Sequence, residues 1–206
     1  MMDLDRALAD ITAIRSQIAR GAVFRGYGPV TVAATGFLAM AAAALQALWL
    51  PDPASDVFAY LILWLTTAVA SIVLIGIEMV ARTRRIHSGL ADEMIHAATE
   101  QFVPAGVAGV LLTVVLFRFA PEDCLWMLPG LWQIVFSLGL FASCRLLPRP
   151  MLAAAAWYLA AGLANLAAAD ATHAFSPYAM AVPFGIGQLL IAGVLYWRIG
   201  ERDGEN

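Results

Sequence analysis

Glu93-x-x-His96, with Glu100 one turn further on, is the spacing in this chain that comes nearest to a metal site. On a helix, residues three and four apart share a face, and Glu-x-x-His is the pair that di-iron helix bundles project inward. Such bundles need a second pair and further glutamates on other helices. Here Glu78 is the one carboxylate placed to assist, with His87 as an extra imidazole. A solvated acidic helix face is the default for Asp92, Glu93, His96 and Glu100, and metal binding the sharper alternative.

A second group of polar residues lies inside apolar stretches, where such groups are costly and mark function by default. The ionisable ones are Glu78 and Arg118. Glu78 precedes Arg82 by four residues, the favoured order for a helical ion pair, so it reads as a paired interfacial acid or as a proton or cation ligand. Arg118 can snorkel toward Glu122. The amides are Gln46, Gln133, Asn165 and Gln188. Counted inward at 1.5 Å per residue, Gln46 and Asn165 lie about 7 Å deep, Gln133 about 12 Å and Gln188 about 15 Å. Two readings compete: interhelical hydrogen bonds, or a polar cavity holding a small neutral or zwitterionic ligand. Pro129 and Pro183, with Gly130, Gly185 and Gly187, would favour the second, since broken helices are tolerated where they line a cavity.

The elements that must position these residues follow from composition. The 206 residues are 62% hydrophobic and 13% charged, against roughly 45–50% and 25% in ordinary soluble domains, with a mean hydropathy of +0.78. The net charge of −3 leaves no basic excess for a phosphate backbone, which excludes a nucleic-acid partner. The chain reads as an integral membrane protein whose principal partner is the lipid bilayer. A hydrocarbon core of about 30 Å needs about 20 apolar residues per helix, and backbone groups at that depth must be satisfied within helices. Six stretches qualify: 29–50, 57–81, 103–120, 125–145, 151–169 and 178–198.

Arginine placement sets the orientation. The chain has no lysine. Arg6, Arg15, Arg20, Arg25, Arg82, Arg84, Arg85, Arg145, Arg149, Arg198 and Arg202 fall on one side, and Arg118 alone on the other. By the positive-inside bias, both termini are cytosolic. Trp49, Tyr60, Trp126 and Tyr178 then mark the outer interface, and Tyr27, Trp157, Tyr196 and Trp197 the inner one. Cys124 and Cys144 sit at opposite ends of the fourth span and cannot bond to each other within one subunit. The expected fold is an all-α polytopic bundle of six transmembrane helices in three hairpins, 29–81, 103–145 and 151–198. Residues 1–28 form a cytosolic helix and linker, 82–102 a cytosolic connector and 199–206 a tail. Gly130 to Gln133 and Gly185 to Gln188 hint at a hairpin repeat. Rows of small residues, Ala39/Ala43/Ala47 and Ala160/Ala164/Ala168, allow close helix approach.

Two cytosolic elements carry the remaining signal. Leu4, Leu8, Ile11, Ile14 and Ile18 make one apolar stripe on a helix over 3–20, with Asp3 as its cap and Gly21 as its end. It either lies on the inner leaflet or docks on a protein. Ser88-Gly89 breaks the chain leaving the membrane, and a second helix runs from Leu90 to about Gln101. His173 reads as a solvated loop histidine. No nucleotide loop, HExxH site, Gly-x-Ser-x-Gly elbow or CxxC pair is present.

The run Leu8-Ala-Asp-Ile-Thr-Ala-Ile-Arg15, then Arg20, Phe24 and Gly26-Tyr-Gly-Pro29, resembles a family of small bacterial multi-pass inner-membrane proteins of uncharacterised function. The resemblance covers the first 40 residues, implies a bacterial cytoplasmic membrane, and carries no catalytic residues.

Three functions are therefore weighed. The first is a non-catalytic sensor or accessory subunit that contacts a cytosolic or membrane partner through residues 3–20 and 90–101, either alone or as a homo-oligomer. The second is a small-solute transporter or channel using the amides and Glu78. The third is a metal-dependent membrane enzyme at Glu93, His96 and Glu100. The first needs no cofactor and is not an enzyme.

Overall fold

A computed structural model describes residues 27–86, 91–144, 147–168 and 171–203. The helix expected over 3–20, Ser88-Gly89 and Leu90 lie outside the described residues. Within them the chain is all-helical: α1 (Pro29–Trp49), α2 (Val57–Ile86), α3 (Ala91–Phe119), a 3-10 turn at Glu122–Met127, α4 (Leu128–Ser143), α5 (Met151–Ala167), the single turn α6 (Ala171–Ala174) and α7 (Pro177–Asp203). No strand occurs among the described residues.

The boundaries follow from local chemistry. Pro29 occupies the first turn of α1, where its missing N–H costs nothing. The Asp56 carboxylate accepts from the Ala59 N–H at 2.9 Å and caps α2. Ser176 caps α7 in the same way, its hydroxyl oxygen 3.3 Å from the Ala179 nitrogen, with Pro177 next in sequence.

Five of these helices are long and apolar enough to cross a membrane: α1, α2, α3, α4 with its preceding turn, and α7. The fifth expected span is shorter than 151–169. Its helix ends at Ala167, and its 17 residues reach only about 25 Å at 1.5 Å each. The connector 82–102 also differs from expectation. α2 continues to Ile86, and the helix expected from Leu90 is continuous with the third span, from Ala91 through Pro104 to Phe119. Proline inside a helix removes one ladder bond and bends the helix without having to end it.

The long helices close into a ring in the order α1, α2, α3, α4, α5, α7 and back to α1. Consecutive helices pair, but the broadest interfaces are α1 with α7 and α4 with α5, which join different hairpins. The α4–α5 interface is a backbone approach. A Cβ on Gly162 would lie 2.7 Å from the Gly130 carbonyl oxygen, and one on Gly130 2.9 Å from that of Gly162. The packed face of α5 is Ala154, Ala155, Tyr158 and Gly162, whereas Ala160, Ala164 and Ala168 are exposed. On α1, Ala39 and Ala43 are buried with Ala42, and Ala47 is exposed.

Two clusters mark the ends of the ring. Tyr60, Leu61, Trp64, Leu125, Leu128, Phe175 and Met180 gather at one. Val32, Met151 and Leu195, with Tyr27, Cys144 and Leu147 against them, gather at the other. Trp49, Tyr178, Tyr196 and Trp197 are exposed, as interfacial aromatics should be. Tyr60, expected among them, is fully buried, its ring 4.9 Å from that of Phe175.

Candidate functional site

Three of the four amides are engaged in hydrogen bonds that join helices. Pro183 has no N–H, so the carbonyl four residues earlier in α7, Ala179, loses its ladder donor. Gln133 from α4 donates to that oxygen at 2.7 Å. Asn165 from α5 donates to it at 3.1 Å and to the Gln133 side-chain oxygen at 3.0 Å. Three helices are thereby tied at one proline-vacated acceptor. Trp157 of α5 donates to the Pro183 carbonyl at 3.0 Å, so it works as interhelical glue, where the sequence placed it at the inner interface.

Gln46 has a separate role. Its amide nitrogen donates to the Phe175 carbonyl at 2.7 Å, and its oxygen accepts from the Trp64 indole at 2.8 Å. It thus joins α1, α2 and the turn before α7. Gln188 is buried and lies against the Tyr158 side chain, whose ring also fills the space over Gly187. Of the four amides, only Gln133 and Asn165 are brought into contact with each other.

Between α3, α4, α5 and α7 the interior is aromatic. Phe136 lies 4.7 Å from Tyr158 and 5.6 Å from Phe184, Tyr158 lies 5.2 Å from Phe184, and Phe102 reaches Phe136 at 5.5 Å. These rings pack against one another across the four helices. Trp132 adds a bond to the Thr113 hydroxyl at 2.8 Å, tying α4 to α3. Periodicity gave no sign of Trp64, Trp157 or the Ala179 carbonyl as partners. A proline four residues after an apolar position was the one available cue.

The ionisable candidates lie elsewhere. The His96 imidazole is 3.8 Å from the Glu100 carboxylate, and both side chains are largely exposed. Glu93 belongs to the same helix, α3. Among the described residues no group of three or more His, Cys, Asp or Glu side chains is placed to hold a metal. Arg118 is exposed near the end of α3. His173 is exposed as well. Cys124 and Cys144 are both free. Just before α1, burial pushes the Tyr27 phenol above its ordinary value and keeps it neutral.

Glu78 and Arg82 do pair, but loosely: the carboxylate oxygen is 3.9 Å from the guanidinium Nη1, with 26% and 30% of the side chains exposed. A pair this accessible contributes little by itself. The two line a cleft of about 330 Å³ with Ala81 and Arg85. The Glu78 carboxylate rests directly on Gly28, where any Cβ would overlap it.

No protein-family model matches the chain, and no curated protein or solved structure matches it either.

Proposed function

We propose that this chain is a six-span protein of a bacterial cytoplasmic membrane, with both termini cytosolic, that acts without catalysis of its own as a sensor or accessory subunit. Its contacts with a cytosolic or membrane partner run through residues 3–20 and 90–101, and the lipid bilayer covers the apolar faces of α2 and α3. One observation carries this reading: the intramembrane amides Gln46, Gln133 and Asn165 are committed to helix–helix hydrogen bonds. That leaves them serving the scaffold, and Phe136, Tyr158 and Phe184 fill the neighbouring interior. The eleven arginines assigned to one side support the orientation, and the likeness of the first 40 residues supports the bacterial membrane.

The test is recovery of partners from native membranes with the full chain and with residues 3–20 deleted. A protein that co-purifies in fixed ratio and is lost on deletion supports the proposal. Unchanged recovery and phenotype would reject it. Solute uptake by reconstituted protein that Gln133→Leu abolishes would favour transport instead.

A further inference from the structure

Two of the residues lining the cleft at the end of α2 each carry an unpartnered atom, of opposite kind. Glu78 Oε2 is a buried acceptor without a donor, and Arg82 Nε a buried donor without an acceptor. The 3.9 Å separation between the two side chains is well beyond the 2.7–2.9 Å of a charge-assisted bond, so neither satisfies the other. Both charges are left short of a full partner, and the quarter to a third of each side chain that stays accessible is what a ligand supplying both an acceptor and a donor can engage. Arg85, one turn on from Arg82, adds a second guanidinium to the same cleft. Guanidinium pairs select phosphate because their planar forks match its oxygens.

We propose that Glu78, Arg82 and Arg85 bind a phosphate group that carries a primary ammonium, the phosphoethanolamine headgroup of a membrane lipid. The phosphate oxygens accept from Arg82 and Arg85, and the ammonium donates to Glu78. A choline headgroup has the same charges but no N–H, and so leaves Glu78 unsatisfied. A glycerol headgroup has no cation to offset the carboxylate. The lipid source is favoured over a free solute by what lies one turn toward the middle of α2. Leu74 and Ile77 precede Glu78 and Ala81 by four residues, on the same helix face, and both are exposed, giving an acyl chain an apolar track. The site also sits where the apolar stretch of α2 ends, beside Gly28 at the start of α1, which is headgroup level. The cleft's volume is at the lower edge of the range for small-molecule sites. The inference goes beyond the proposed function and holds whichever face is cytosolic.

The experiment is native mass spectrometry of the full chain in nanodiscs of phosphatidylcholine doped with equal fractions of phosphatidylethanolamine or phosphatidylglycerol. Phosphatidylethanolamine should be retained about tenfold over either competitor, the discrimination that one hydrogen bond to a charged group supplies. Glu78→Gln should shrink the preference over phosphatidylcholine, and Arg85→Gln should weaken retention of all three lipids, with helical content by circular dichroism unchanged. Soluble phosphoethanolamine that displaces the lipid at equal affinity would keep the headgroup chemistry and reassign its source to a solute. Equal retention of the three lipids, a preference for phosphatidylglycerol, or an ethanolamine preference that survives both substitutions would overturn the proposal. Should Glu78→Gln fail to fold, the Arg85→Gln comparison and the three-lipid ranking of the unmodified chain decide it alone.

Discussion

The side-chain nitrogen of Gln133 lies 2.7 Å from the carbonyl oxygen of Ala179, an oxygen that Pro183 deprives of its helical donor. The proline and the glutamine, on different helices, are therefore halves of one device: one exposes an acceptor at membrane depth, and the other covers it. In hydrocarbon no water can take the place of either.

That dependence is measurable. Gln133→Leu leaves Ala179 with Asn165 alone and should lower stability by about 1 kcal/mol, within the span of interhelical bonds in membranes. Pro183→Ala restores an N–H to the ladder, so the same Gln133→Leu change should cost about half as much in that background. A double-mutant cycle of unfolding in detergent reads the coupling. Strict additivity would mean that the bond to Ala179 does not depend on the vacancy that Pro183 creates.

The α4–α5 contact makes a second prediction. Gly162→Ala places a methyl 2.7 Å from the Gly130 oxygen and 2.8 Å from the Ile134 side chain, an overpacking that should cost about 1–3 kcal/mol. Ala164→Val, two positions on, points away from the bundle and should change stability by no more than about 0.5 kcal/mol. The reverse ranking in thermal unfolding would place the close approach on the alanine row instead.

These two cases show what the sequence discloses and what it withholds. Long apolar runs and their proline-bounded ends are local properties, and five helices able to span a membrane follow from them. Polar residues inside those runs are conspicuous for the same reason, so Gln46, Gln133, Asn165 and Gln188 stood out. Their partners did not, because rotation and tilt decide them. Counting residues from helix ends set Asn165 and Gln133 at different depths, yet they meet at 3.0 Å. Rotation likewise turned Gly162 inward and the equally small Ala160 and Ala164 outward, a choice that composition does not encode. Tyr60 and Trp157 sit near helix ends and read as interfacial. Packing against Phe175 and the Pro183 carbonyl drew them into the protein. Pro104 lies one residue into the third expected span, 103–120, a position where prolines favour a helix start, but α3 passes through it.

Gln46 offers a third test, at the turn just before α7. It donates to the Phe175 carbonyl and accepts from the Trp64 indole, so Gln46→Leu strands a buried donor and a buried acceptor together. Stranded partners cost more than the lost bonds, and a loss of about 2 kcal/mol is expected. Trp64→Phe removes the indole donor while keeping an aromatic ring, and should cost less. In the double variant the Gln46→Leu penalty should shrink, since no indole N–H is left unpaired. Equal penalties in both backgrounds would show that the Trp64 bond is not made in the membrane.

Cys124 and Cys144 give the orientation its direct measurement. They flank α4, and at about 1.5 Å per residue they stand about 30 Å apart, so each reports one side of the bilayer. Both are free and partly accessible. If arginine bias sets the topology, a membrane-impermeant maleimide added to intact spheroplasts should modify Cys124 and spare Cys144, and inside-out vesicles should reverse the pattern. Single variants, Cys124→Ala and Cys144→Ala, assign each signal. Labelling of Cys144 from outside would put Arg82, Arg84, Arg85, Arg145 and Arg149 on the external face, against the bias that sorts short loops. It would also move residues 90–101 out of reach of a cytosolic partner, whereas the Glu78 cleft would simply change leaflets and keep its chemistry.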